Sequence, residues 1–371
     1  VLKIILGGSR MVKRGKFWVT VAAIAVMGVL GGCANNSASG SSDNWNTIVK
    51  QAKKEGKVVS VGMPDTWANW IETWNDLKSQ YSITHTDTDM SSAQELQKFK
   101  SAGKTSSSPD IGDIGLNVAP TAVKENLLTA YKTKYWKDIP SWAKDKKGYY
   151  SAGYTGSIVF VTDTKNVKAS DAPKSWSQLA SGKYKVAIGD VSTEAQAQYS
   201  VLAAAYANGG SESNLTPGLN YFEKIQKQNR LSTVDTTIQN LQKGEIQVAV
   251  MWDFNALNYA HQIDSKRFKI TVPSDGTIRS GYTEVINKNA AHPYAAKLAR
   301  AYILSDKGQI NLAKGYARPI RTNVKLPASV KSKLLPSSDY KKVYHVKNNT
   351  KWNQETLKLG QEWKTKVLGA N

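Results

Sequence analysis

Strand-like and helical runs alternate over about 325 residues from Trp45 to the end of the chain, and this alternation confines it to layered α/β architecture. Lys57 to Gly62 reads as a first strand, and Met63-Pro64-Asp65-Thr66 turns the chain into a helix. Apolar residues at Trp67, Trp70, Ile71, Trp74, Leu77 and Tyr81 then recur at helical spacing. Ile83 to Thr88 is a second strand, Ser92-Ala93-Gln94-Glu95 a capping box, and Asp110 to Leu116 a third strand with Pro120 near the start of its helix. The length is too great for one small core and suits two domains, with no internal repeat.

Gly153 to Thr162 reads as one long strand, able to cross from one domain into another. Beyond it, Lys185 to Gly189 is a strand, Thr193-Glu194-Ala195-Gln196 caps a helix ending at Gly209-Gly210, and Thr216-Pro217 starts another. Thr236 to Lys243 reads as a helix and Ile246 to Trp252 as a buried strand. Ser274-Asp275-Gly276 is a turn before the candidate return strand Tyr282 to Ile286, and from Pro293 the chain reads as largely helical. The expected organisation is one lobe from residues 45–156 and 280–371, a second from 157–279, and a hinge where the two crossings meet.

Ahead of this body, Lys13, Arg14 and Lys16 precede an apolar run from Phe17 to Leu30, the pattern of a secretory signal. The run holds roughly fourteen residues, short of the ~20 that a spanning helix needs. It ends in Leu30-Gly31-Gly32-Cys33, which resembles the lipobox of bacterial lipoproteins. The expectation is a signal peptide over 1–32, with Met11 the better start, lipidation at Cys33, and a flexible Ser/Asn/Gly tether over 33–44. The mature protein is then anchored by lipid on the extracytoplasmic face of the cell membrane.

Cys33 is the only cysteine, so disulfides, thiol catalysis and cysteine-ligated zinc are excluded from the mature chain. His85, His261, His292 and His345 lack metal-ligand spacing, and neither metal nor cofactor is expected. Of the net charge of +21, five charges lie in the segment removed with the signal (Lys3, Arg10, Lys13, Arg14, Lys16), leaving +16. The lysines are dispersed and not interleaved with aromatics in a stripe, which argues against nucleic acid and suits the neighbourhood of an anionic membrane and wall.

Several segments carry a resemblance: MPDTWANW at Met63 to Trp70, SPDIGDIG at Ser108 to Gly115, GYTGSIVFVT at Gly153 to Thr162 and PKSWSQL at Pro173 to Leu179. GEIQVAVMWDFNAL at Gly244 to Leu257, VPSDGTIRSGY at Val272 to Tyr282 and SDKGQINLAKGYARPIR at Ser305 to Arg321 extend it. In this order they resemble bacterial solute-binding proteins of the type II periplasmic-binding fold, in the branch that includes ferric-iron, polyamine and aminoalkylphosphonate binders. The resemblance implies two α/β lobes joined by two crossing strands and closing on a small molecule. It also implies delivery to a permease driven by a cytoplasmic ATPase.

Ligands of open α/β sheets lie beyond the carboxyl ends of strands, where helix amides are free. Four segments have that context and supply the candidate ligand residues: Asp65, Thr66 and Trp67; Asn117; Asp190, Ser192 and Thr193; and Trp252, Asp253 and Asn255. Tyr282 joins them from the return crossing, where it can equally brace the hinge. Trp67 suits stacking or the core, while Asp65, Asp190 and Thr193 suit either helix capping or ligand contact. Asp253, emerging beside Trp252 from an apolar strand, is the strongest single signal. Arg279, Arg318 and Arg321 are the nearest basic residues.

Asp65, Asp190, Glu194 and Asp253 with two tryptophans, and no Lys or Arg in these loops, favour an organic cation such as a polyamine. Helix N-termini near Thr66 and Thr193 leave a phosphonate-like anion open, and ferric iron stands third because the only Tyr-Tyr pair, Tyr149-Tyr150, precedes the first crossing. Gly103-Lys104-Thr105 lacks the upstream glycine of a phosphate loop, having Lys98 instead. An enzyme would have to use dispersed acids such as Asp253 and Glu284, and a wall-binding lipoprotein is the remaining rival.

Overall fold

The computed structural model describes residues 44–369. The signal segment, Cys33 and the tether up to Asp43 lie outside the described residues.

The first part of the chain forms α1 (Trp45–Glu55), β1 (Lys57–Val61), α2 (Trp70–Tyr81), β2 (Thr84–Thr88), α3 (Ser92–Ser101), β3 (Ile111–Gly115), α4 (Ala119–Lys124) and β4 (Leu128–Thr129). It then enters β5 (Tyr150–Asp163), followed by α5 (Trp176–Ser181), β6 (Val186–Ala187), α6 (Ala195–Ala207), α7 (Thr216–Lys227), β7 (Leu231–Ser232), α8 (Ile238–Lys243), β8 (Val248–Trp252), α9 (Asp253–Ile263) and β9 (Phe268–Thr271). The return strand β10 (Thr277–Asn287) leads to α10 (Pro293–Ile303), α11 (Asp306–Lys314), β11 (Arg318–Pro319), α12 (Ala328–Lys331), β12 (Val343–Tyr344) and α13 (Asn349–Glu362).

Two long strands join the lobes. The sheet order is β2-β1-β3-β10-β5-β8-β6-β7, with β1 parallel to β2 and β3, and β10 antiparallel to β3 and β5. The amino-terminal half of β5, up to Ser157, pairs with β10; from Ile158 onward it pairs with β8 and β9. Every residue of β5 is buried, as expected of a strand covered on both faces. The fold is two-lobed α/β of the type II periplasmic-binding kind, with β5 and β10 as the crossing strands.

Each lobe has its own aromatic centre: Trp70 stacks on Trp74 in the first, and Trp176 meets Phe160, Tyr221 and Phe222 edge-on in the second. Between them runs α6, whose residues from Ala195 to Ala205 are all buried, so its near-continuous apolar surface is packed all round. The second lobe is stapled by a buried ion pair in which Arg267 Nε and Nη2 donate to Asp163 Oδ1 and Oδ2 at 2.9 and 2.7 Å. Asp163→Ala leaves that guanidinium buried without its counter-charge, so urea titration is expected to show a loss of about 3 kcal/mol.

Three departures from the expected elements matter for the site. The helix expected from Thr66 begins instead at Trp70, because Ala68 and Asn69 take left-handed φ of 49° and 60° after a single turn at Trp67. Trp67 is thereby detached from the Trp70 and Trp74 stripe. The capping box of α3 is shifted one residue earlier, with the Ser91 amide donating to Gln94 Oε1 at 2.9 Å. That shift frees Ser92 and Glu95, whose side chains accept from the backbone amides of Gly115 and Asp113. Finally, the segment after Arg321 does not stay with the first lobe. Tyr344 stacks on Tyr206, Trp363 packs on Phe222, and Asn353 Nδ2 donates to Asn117 O, so this last stretch lies across both lobes.

Candidate functional site

The carboxyl ends of β1 and β3 and the amino end of α3 face the start of α6, the loop before α8, and α9 across a cleft of about 450 Å³. Its lining includes six carboxylates, Asp89, Glu95 and Asp113 from the first lobe and Asp190, Glu194 and Asp235 from the second, and no Lys, Arg or His. Unlike the strongly basic chain as a whole, the cleft is acidic.

Two of these acids are set by neighbouring glycines. Gly62, at φ 68°, lies against the Glu95 carboxyl, and a Cβ there would collide with it. Gly189, at φ 85°, does the same for Glu194, whose Oε2 accepts the Asp190 amide at 3.2 Å. Burial pushes Glu95 well above the usual carboxylate range, and the neighbouring Asp113 adds to it. Burial, then the charges of Asp235 and Asp190, push Glu194 up to about 7. Asp113 is likewise raised by burial, although Tyr154 Oη donates to its Oδ2 at 2.6 Å.

The aromatic side of the cleft is built as a chain of donors. Trp67 Nε1 donates to Tyr154 Oη at 2.6 Å, which in turn donates to Asp113. Trp67 meets Tyr282 edge-on at 5.4 Å, and Trp252 Nε1 donates to the Tyr282 hydroxyl at 3.2 Å. Trp67, Tyr259 and Tyr282 therefore present ring surface beside the carboxylates, with Tyr154 and Trp252 behind. Carboxylates beside aromatic faces are groups able to pair with a positive charge.

Residues 106–349 match the model of the family described as bacterial extracellular solute-binding protein, most of the chain. The chain belongs to that family. A Sinorhizobium fredii protein described as a probable ABC transporter periplasmic-binding protein is 24% identical over 163 residues, 42% of this chain and 45% of that protein. The chain thus matches under half the length of that relative. Among solved structures, the periplasmic binding protein AfuA of Actinobacillus pleuropneumoniae, with fructose-6-phosphate bound, aligns with a TM-score of 0.70 at 18% identity, covering 84% of this chain and 98% of the other. Iron-bound HitA of Pseudomonas aeruginosa aligns at 0.64 and 15%, covering 83% and 99%. Both likenesses concern the fold.

In this solute-binding protein the cleft gathers Trp67, Asp190, Thr193 and Tyr282 from the candidates read in the sequence. Asp190 anchors its loop, accepting from Ser192 N at 2.8 Å and Thr193 Oγ1 at 2.7 Å, so Ser192 contributes an amide to the turn while its side chain abuts Gly360. Asp65 and Thr66 are exposed outside the lining; Thr66 O accepts from Asn258 Nδ2, a contact between lobes. Asn117 is fully buried and donates to Gln198 Oε1. Trp252 and Asn255 lie one layer behind, where the Trp252 amide and Asn255 Nδ2 both donate to Gln196 Oε1 and so position a residue of the wall.

Asp253, the strongest signal in the sequence, is not among the residues lining the cleft. Its Oδ1 accepts the amides of Ser157 and Phe254 and its Oδ2 the Tyr340 hydroxyl, so its carboxylate is spent on the hinge. Arg279 and Arg318 flank the Tyr340 ring there, Arg321 pairs with Asp306 and Asp138, and Glu284 is buried beside Arg300, all away from the cleft. The loop reading missed Asp89, Glu95, Asp113 and Asp235. A usable signal existed for Asp113: an acid in an otherwise apolar, glycine-flanked strand needs a reason to be buried.

Proposed function

We propose that this protein is the solute-capturing subunit of an ABC importer, non-enzymatic, held by lipid on Cys33 at the outer face of the cell membrane, and that its cleft takes a small organic cation of the polyamine type. The observation that carries the ligand class is the set of six cleft carboxylates without a basic partner among the lining residues. Removing such groups from water is costly unless a cation arrives to pair with them. The amino ends of α3 and α6 also face the cleft and would suit an anion, but Glu95 and Glu194 already stand there. Among the described residues no three His, Cys, Asp or Glu side chains are grouped to hold a metal ion, so the acids suit an extended organic cation better than ferric iron. The transport role rests on family membership and on the partial match to the Sinorhizobium fredii protein.

Thermal melts with putrescine, spermidine, 4-aminobutyrate, an aminoalkylphosphonate, fructose-6-phosphate and ferric citrate test the reading. A ligand at a hundred times its dissociation constant stabilises the folded state by about 2.7 kcal/mol. The polyamines are expected to raise the melting temperature and the phosphate-bearing compounds to leave it unchanged. A response to the phosphorylated compounds alone would sink the cation assignment and leave the solute-binding role standing.

A further inference from the structure

The first lobe carries a surface feature unrelated to the cleft. Residues 131–148 fold back on themselves, with the Tyr131 amide donating to Gly148 O at 3.0 Å and the side chain of Lys132 lying against Gly148. This brings Lys132 and Lys134 near Lys146 and Lys147, all four exposed. None of them forms an ion pair within 4.0 Å among the described residues. The two acids of the stretch are engaged otherwise: Asp138 with Arg321, and Asp145 with the amides of Lys147 and Tyr149. Trp45, 37% exposed, stands at the start of α1 in the same place, with Lys134 Nζ 5.8 Å from its ring centre. Trp45, Lys132 and Lys134 line a shallow hollow of about 430 Å³.

We propose that this face, Trp45 with Lys132, Lys134, Lys146 and Lys147, rests on an anionic phospholipid surface and orients the binding protein on its membrane. Unpaired lysines gain from the negative potential of such a surface, and an indole is the side chain that settles at the headgroup level. Chain length agrees with the lipid proposed on Cys33: Trp45 lies twelve positions after it, a stretch that can span at most roughly 43 Å. The contact does not depend on the lipid or on the solute in the cleft, and no residue of this face is among those lining the cleft.

The test is co-sedimentation of a chain that starts at Asn44, whose described residues 44–369 form one compact unit, with vesicles of phosphatidylcholine alone or mixed with phosphatidylglycerol. Binding is expected only to the mixed vesicles and is expected to weaken as salt rises. Each lysine near such a surface strengthens partitioning about fivefold, so Lys132→Glu, Lys134→Glu, Lys146→Glu and Lys147→Glu combined should lower it by a hundredfold or more. Trp45→Ala lowers it further and independently of salt. The control is the same charge change on exposed lysines of the second lobe, Lys165→Glu, Lys168→Glu, Lys183→Glu and Lys185→Glu, with both quadruple variants retaining the parent melting temperature. Equal loss in both variants would reduce the effect to bulk charge and overturn the proposal. So would no binding to the mixed vesicles, or preference for a soluble glycerol-phosphate polymer over them. None of these outcomes bears on the solute, which is read separately by the melts.

Discussion

Glu95→Gln and Glu194→Gln are each expected to weaken polyamine binding by about a hundredfold in calorimetric titration, because truncating one side of a desolvated charge pair costs 2–5 kcal/mol. Both substitutions keep the shape of the side chain and an oxygen able to accept the same amide, from Asp113 and Asp190 respectively. The fold is therefore retained and the lost charge is what the titration reads. Asp253→Asn supplies the contrast. Its carboxylate serves Ser157, Phe254 and Tyr340 at the hinge, so the expected effect is a loss of stability of about 1–3 kcal/mol with affinity changed by only a few-fold. Abolished binding in Asp253→Asn, with Glu95→Gln and Glu194→Gln silent, would mean that the solute sits elsewhere.

The second large effect is one of pH. Glu194 is pushed up to about 7, chiefly by burial, so in the empty cleft it is mostly protonated at pH 6 and mostly ionised at pH 8. A cation binds the ionised form, and affinity is expected to fall by up to about tenfold per pH unit below 7, with proton release on binding measurable from the buffer dependence of the heat. Glu95 and Asp113, raised in the same direction, add to the release. For the ligand-free protein the sign reverses. A carboxyl whose folded pKa lies above its unfolded value of 4.5 makes the native state hold more protons between 4.5 and about 7. Its contribution to stability is therefore most favourable below 4.5 and is lost as pH rises through 7. Glu194→Gln should flatten both profiles. An affinity that rises on acidification would contradict the role given to this carboxylate.

Local pattern was a sound guide wherever one stretch of chain answers to its own neighbours. The strand Lys57–Val61, the helix after Thr216-Pro217, the turn at Asp275-Gly276 and the long crossing strand were all readable, because periodicity and turn chemistry act over a few residues. The resemblance spread over Met63 to Arg321 carried the two-lobed fold. Harder to read was which polar residue answers to a distant partner. Asp253 has the sequence context of a ligand group, yet its oxygens are consumed by Ser157, 96 positions earlier, and by Tyr340, 87 positions later. Glu95 has the context of a helix cap, yet the glycines at 62 and 112 give it room to lie buried beside the cleft.

Charge divides along the same line. The net +21 is a sum over the whole chain and describes its surface, where lysines keep their hydration at little cost. The sign of the cleft is decided by six side chains drawn from residues 89 to 235, and no window of sequence brings those together. Composition therefore describes the outer surface, whereas only the packing of two lobes around Trp67 and Tyr282 places carboxylates from both against one small volume. Coulomb interaction at short range and low dielectric then outweighs the distant, screened lysines, so the sign of the cleft is set by the tertiary structure.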